Sequence, residues 1–218
     1  EDYVLNNCKP PKIRGYLVYN KETGVPERFV EGLSDGEIII DLWTDLDEMG
    51  NPPPVKYVAG TDISLGSGET NSCLSVARVD TGEKVLEVAT PNVKVDPFAI
   101  FCIAVCLWFS NRGHRTMFCW ERQGPGNTFG DVVIKNGYSP TYLPEDTQLI
   151  AKPISRKPGW FPTPENKRTL LGLYLTAPGN GTFWNPSKLA MIECKNYIEE
   201  ADKGPVHSKT LGKIIDPS

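Results

Sequence analysis

The sequence predicts an α/β domain, a mixed β-sheet with helices packed against it. Three observations carry this. Short β-forming runs joined by tight turns fill residues 57–89, a wholly apolar helical run follows, and further strand-like and helix-like segments then alternate up to about residue 143.

Residues 1–55 read as strands and turns, with Val25 to Glu31 and Gly36 to Trp43 β-like and Ile38-Ile39-Ile40 at the centre of the second. Asn51-Pro52-Pro53-Pro54 is a stiff extended spacer. It leads into the strand Lys56 to Asp62. Cys73 to Val79, the turn Asp80-Thr81-Gly82 and Lys84 to Ala89 complete an antiparallel meander. Asp96-Pro97 supplies an N-cap and a first-turn proline for a helix from Phe98 to Asn111, apolar on almost every face and so covered on more than one side. A strand from Thr116 to Glu121 comes next. A helix from Asn127 to Asn136, stopped by Gly137, precedes a last strand from Tyr138 to Leu143. The order is β-β-β-α-β-α-β. Beyond it, Gly159-Trp160-Phe161-Pro162-Thr163-Pro164 is a proline-broken loop before a helix around Glu165 to Leu175. Asn185-Pro186 opens another helix, running to about Tyr197.

At 218 residues and 39% apolar side chains the chain can bury one sizeable core. A net charge of -4 excludes a globally basic field, so any polyanion meets a local patch or metal ions. The densest apolar stretch, Phe98 to Phe109, is too short to cross a bilayer. No secretory leader pattern is visible, and a start at Glu1 rather than Met predicts a domain cut from a longer protein. The six cysteines form no CxxC pair and lie mostly in apolar runs, as buried free thiols would. Asn180-Gly181-Thr182 is read as a chance match to a glycosylation acceptor.

Two strands each end in an acid followed by a glycine-containing loop: Asp62 before Ile63-Ser64-Leu65-Gly66, and Glu121 before Arg122-Gln123-Gly124-Pro125-Gly126. An acid on an otherwise buried strand is costly unless its charge is compensated. Two of them on neighbouring strands are suited to sharing a divalent cation. Alternatively, Asp62 caps its own turn. A structural pair between Glu121 and Arg122 is disfavoured, because successive strand residues point to opposite faces. The helix near Asn127 is expected to aim its N-terminus at the same place. Gly66-Ser67-Gly68-Glu69-Thr70 lacks the lysine of a nucleotide-binding phosphate loop, and no other segment supplies that loop.

The stretch from Gly36 to Tyr142 resembles the nuclease domain of the large terminase subunit of tailed bacteriophages. The resemblance lies in an ordered series: Leu42-Trp43, Tyr57-Val58-Ala59-Gly60-Thr61-Asp62, Val79-Asp80-Thr81-Gly82-Glu83, Asp96-Pro97-Phe98-Ala99, Trp120-Glu121-Arg122, Asn136-Gly137-Tyr138, Gly159-Trp160 and Thr163-Pro164. It continues more loosely through Lys167-Arg168 and Leu189 to Tyr197. It implies a ribonuclease-H-like fold, with residues 1–55 leading into the sheet and 56–218 forming the nuclease domain. It also implies metal-dependent cutting of double-stranded DNA, in which Asp62 and Glu121 match the family's first-strand aspartate and its glutamate. The chain departs from the family at Gln123-Gly124-Pro125-Gly126 and lacks the family's C-terminal acidic signature, since Ile214-Ile215-Asp216-Pro217 does not match it.

The same resemblance implies two Mg2+ or Mn2+ ions about 3.5–4 Å apart, bridged by Asp62, with Glu121 on one of them. It implies an N-terminal ATPase domain of the same polypeptide, a portal and a small terminase subunit as partners, and the host cytoplasm as location, with no membrane. Lys152, Arg156, Lys157, Lys167 and Arg168 are candidate phosphate contacts or, equally, a solvated surface. No base-reading element is visible, so little sequence preference is expected. Three other readings stay open: an actin-like or sugar-kinase-like nucleotide-binding fragment, another ribonuclease-H-like nuclease such as a resolvase or integrase, and a non-catalytic module docking through the apolar helix.

Overall fold

The expected meander forms β4 (Tyr57–Asp62), β5 (Ser72–Arg78) and β6 (Lys84–Thr90), each antiparallel to the next. The computed structural model of the chain describes residues 7–144, 157–200 and 204–207. It divides into two units, Pro11–Phe161 and a second made of Glu1–Pro10 with Pro162–Ser218.

In the first unit, β1 (Ile13–Tyr19), β2 (Pro26–Glu31) and β3 (Ile40–Leu42) extend the meander on one side and β7 (Met117–Trp120) on the other. The sheet has seven strands in the order β2-β1-β3-β6-β5-β4-β7. Among the described strands only β4 and β7 pair in parallel, which requires a crossover, and α1 (Val95–Trp108) supplies it. The β-like stretch Gly36 to Trp43 is shorter than expected: only Ile40–Leu42 pairs, with Ile38 and Ile39 half-buried outside the ladder.

α1 is buried from Phe98 through Cys106 and again at Trp108, as a helix apolar all round requires. It starts three residues earlier than the sequence suggests. Lys94 is the N-cap and makes no side-chain cap, so Asp96 sits in the first turn, where its charge favours the helix dipole. Pro97 is tolerated there because first-turn N–H groups lack intrahelical partners anyway.

α2 (Pro125–Lys135) packs against α1 through Phe129, whose ring lies 6.0 Å from Phe98, 5.9 Å from Phe118 and 6.2 Å from Trp120. This aromatic cluster joins both helices to β7. Each ring buried there contributes roughly 1.5–3 kcal/mol. Trp120 is held by close approach: a Cβ on Gly130 would fall 2.6 Å from its Nε1, and one on Gly159 2.9 Å.

The last expected strand, Tyr138 to Leu143, is reduced to a single bridge between Thr141 and Phe118. Pro140 has no N–H to give a ladder and takes part only through its carbonyl, which accepts from Phe118 N at 3.0 Å. Trp160 then continues the outer edge of β7, its N–H donating to the Trp120 carbonyl at 2.8 Å. The rim strand is therefore covered in two instalments rather than left open.

The second unit holds α3 (Pro164–Thr176), α4 (Lys188–Lys195) and a hairpin of β8 (Tyr197–Glu200) with β9 (Gly204–His207). Thr163 and Ser187 cap the two helices, accepting from Asn166 N and Ala190 N, each at 3.1 Å. The helix expected to reach Tyr197 ends at Lys195. Asn196 is a poor helix former, and Tyr197-Ile198 are better placed in a strand. No helix among the described residues is long and apolar enough to cross a membrane.

Candidate active site

Sheet register brings the two acids together. Val58 pairs with Met117, Gly60 with Cys119 and Thr61 with Trp120, and Glu121 N donates to the Thr61 carbonyl at 3.3 Å. Asp62 and Glu121 are thus the next positions of the same parallel ladder, on strands about 4.8 Å apart. Alternation divides the faces. Ala59, Thr61, Phe118 and Trp120 are buried beneath the helices, whereas Gly60, Cys119, Asp62 and Glu121 belong to the far face.

Burial differs from the expectation. Asp62 is exposed and Glu121 half-buried, so neither lies in the fully buried setting that first marked them. What they share is position. Gly60, two residues before Asp62, is exposed and has nothing within 4 Å of where a Cβ would sit, which leaves the surface beneath the pair open.

The surroundings hold the ends of both strands. After Asp62 the loop is closed by hydroxyls: Ser64 N donates to Ser72 Oγ at 3.0 Å and Gly66 N to Ser64 Oγ at 3.2 Å. Thr61 Oγ1 donates to the Cys73 carbonyl at 2.6 Å. On the other strand, Glu121 forms a parallel bridge with Trp160, and Arg122 N donates to the Trp160 carbonyl at 2.7 Å. Arg122 points away, donating from Nη1 to the Lys157 carbonyl at 3.2 Å, with its guanidinium 5.8 Å from the Phe161 ring.

α2 starts two residues earlier than expected and lies directly against the end of β7. A Cβ on Gly126 would sit 1.8 Å from the Glu121 carbonyl oxygen, so only glycine fits. The N–H groups of Gly126 and Asn127 are engaged by the carbonyls of Gln123 and Gly124, at 3.0 and 3.2 Å. The helix start braces Glu121 through its backbone.

Two carboxylates side by side on an open surface are a hard-oxygen donor pair and fit a hard divalent cation. Among the described residues no group of three or more His, Cys, Asp or Glu side chains is arranged to hold a metal ion. Of the expected phosphate contacts, Lys152 and Arg156 lie outside the described residues. Lys157 is exposed in the sheet unit, and half-buried Lys167 and exposed Arg168 lie on α3 of the second unit. None of the six cysteines is in a disulfide; burial holds the Cys102 and Cys106 thiols well above the usual range and pushes Cys119 up to about 11.

No family model and no curated protein matches the chain. Solved structures do. The large terminase nuclease from thermophilic phage G20c with bound magnesium superposes with a TM-score of 0.54 at 15% identity, over 77% of this chain and 76% of that one. The zinc-bound form gives 0.52 at 15% identity over 73% and 77%. The cobalt-bound form gives 0.50 at 16% over 77% and 76%. The chain therefore has the α/β, ribonuclease-H-like fold of the large terminase nucleases, a mixed sheet flanked by helices.

Proposed function

We propose that the chain is the nuclease domain of a phage DNA-packaging terminase, a divalent-metal-dependent endodeoxyribonuclease that cuts double-stranded concatemeric DNA with little sequence preference. The observation that supports this reading is the meeting of Asp62 and Glu121 at one ladder position on the open face of a fold whose neighbours include magnesium-, zinc- and cobalt-bound terminase nucleases.

Asp62 and Glu121 would hold Mg2+ or Mn2+, as a two-metal site completed by ligands from elsewhere. When bound, such ions supply Lewis-acid stabilisation of charge developing at a phosphodiester. The chain's own contribution is placement. Asp62 is exposed and accessible to a duplex lying across the far face. Glu121 is fixed by its backbone between Thr61 and Trp160, and Gly126 keeps α2 tight behind it. The open surface at Gly60 leaves room for a phosphate strand. An ATPase domain of the same polypeptide, the portal and the small terminase subunit are the partners this reading carries, in the host cytoplasm.

Plasmid cleavage in Mn2+ tests it. Asp62→Asn and Glu121→Gln should each lose at least ~100-fold in rate while melting at the wild-type temperature. Wild-type cutting by either purified variant removes the reading.

A further inference from the structure

At the opposite end of β4 and β7 from the acids lies an open cleft of about 530 Å3, lined by Lys56, Val58, His114, Arg115, Met117 and Ser139 among others. Its charged side chains are all potential cations; no carboxylate lines it. Lys56, His114 and Arg115 are exposed, and no ion pair within 4.0 Å engages any of them among the described residues. The nearby Asp80 is held by Arg78, whose Nε and Nη2 donate to its carboxylate at 3.0 and 2.7 Å.

The walls are pre-ordered. Residues Asn111 to His114 form a tight turn closed by reciprocal backbone bonds of 2.9 and 3.1 Å. The Asn111 side-chain amide fastens that turn to the Val55 carbonyl at 2.8 Å, next to Lys56. The Arg115 guanidinium lies over the Tyr138 ring at 5.3 Å. A cation held this way loses little side-chain freedom on meeting an anion.

Position relates this cleft to the acid pair. Lys56 precedes Asp62 by six residues, and Arg115 precedes Glu121 by six. The separation along the strands is about 20 Å. Between them β4 and β7 carry Val58 with Met117 and Gly60 with Cys119 on the far face, and nothing among the described residues lies within 4 Å of where a Cβ on Gly60 would sit.

We propose that the Lys56–His114–Arg115 cleft is a second phosphate-backbone site, gripping the same duplex about 20 Å from the point of cutting. A spacing of that size is over half of a DNA turn, so one duplex reaches both ends of the strand pair. The proposal rests on the nuclease reading, and binding and cutting are read separately for that reason.

The test measures binding of a fluorescein-labelled duplex to the whole chain in EDTA, as a function of salt. Lys56→Ala with Arg115→Ala should weaken binding about tenfold and lower the slope of log K against log salt by about 2. A Lys56→Gln, Arg115→Gln variant, which keeps much of each side-chain stem, should do the same with an unchanged melting temperature. In Mn2+ the variants should need more DNA to reach half-maximal rate while cutting at the wild-type rate at saturation. Unchanged affinity and slope, in variants of a wild type that cuts, overturn the cleft and leave the nuclease standing. A wild type that neither binds nor cuts duplex overturns both.

Discussion

Glu121 is placed by contacts its own side chain does not make. Its N–H reaches Thr61, its neighbour Trp160 bridges it from outside, and Gly126 packs against its carbonyl. Gly126→Ala should therefore act on the site as well as on stability. The new methyl meets a backbone oxygen rather than a flexible side chain, so α2 or the end of β7 must shift, at a cost of about 1–3 kcal/mol. Thermal melting and the rate of Mn2+-dependent cutting should fall together, whereas Glu121→Gln should lower only the second. In the sequence, Asp62 and Glu121 stand out as polar interruptions of apolar runs. Gly126 does not, because a glycine after Gly124-Pro125 reads as ordinary turn chemistry, and its close approach exists only once β7 and α2 are assembled.

At the scale of elements, the meander, the buried crossover helix and α2 are legible because each has a local cause: β-formers between tight turns, an apolar run of helical length, a helical run stopped by Gly137. What the sequence conceals is long-range pairing. Nothing local says that Thr141 and Trp160 share the outer edge of β7, or that Tyr197 leaves its helix for a hairpin. β6 is a further case. Opposite Val76 and Ala77 of β5 stand Leu86 and Lys84, so Val85 is an extra residue in the ladder. That bulge turns Lys84 onto the same face as Glu87, and the two form a buried ion pair. Lys84→Met should destabilise the fold by about 3–5 kcal/mol, because it leaves a carboxylate in a buried place without its cation. Lys84→Met with Glu87→Leu should recover much of that loss. Urea titration of the single and double variants measures it, and additive losses would show that the two groups do not act as a pair.

Across the sheet unit, several phenols and thiols sit where the interior favours their neutral forms. Burial, first, pushes Tyr19 and Tyr57 to about 12 and Cys119 to about 11, and holds Tyr138 higher still. The folded chain therefore keeps protons that the unfolded chain releases at lower pH. The stabilisation is full below about pH 9 and declines from there towards about pH 12. Melting temperature should fall steadily over that window, with little change attributable to these groups below it; a flat profile up to about pH 12 would show that these groups titrate alike folded and unfolded.

The pairing of β4 with β7 makes the sheet a ruler for the acid pair. The distance between the two backbones that carry Asp62 and Glu121 is one interstrand hydrogen bond, a length set by amide chemistry and indifferent to the loops that follow. Loop changes beyond either acid can alter what approaches the pair but not how far apart its anchors stand. Any adjustment of reach must then come from side-chain length. Glu121→Asp shortens one arm by a methylene, and the sheet cannot close that gap.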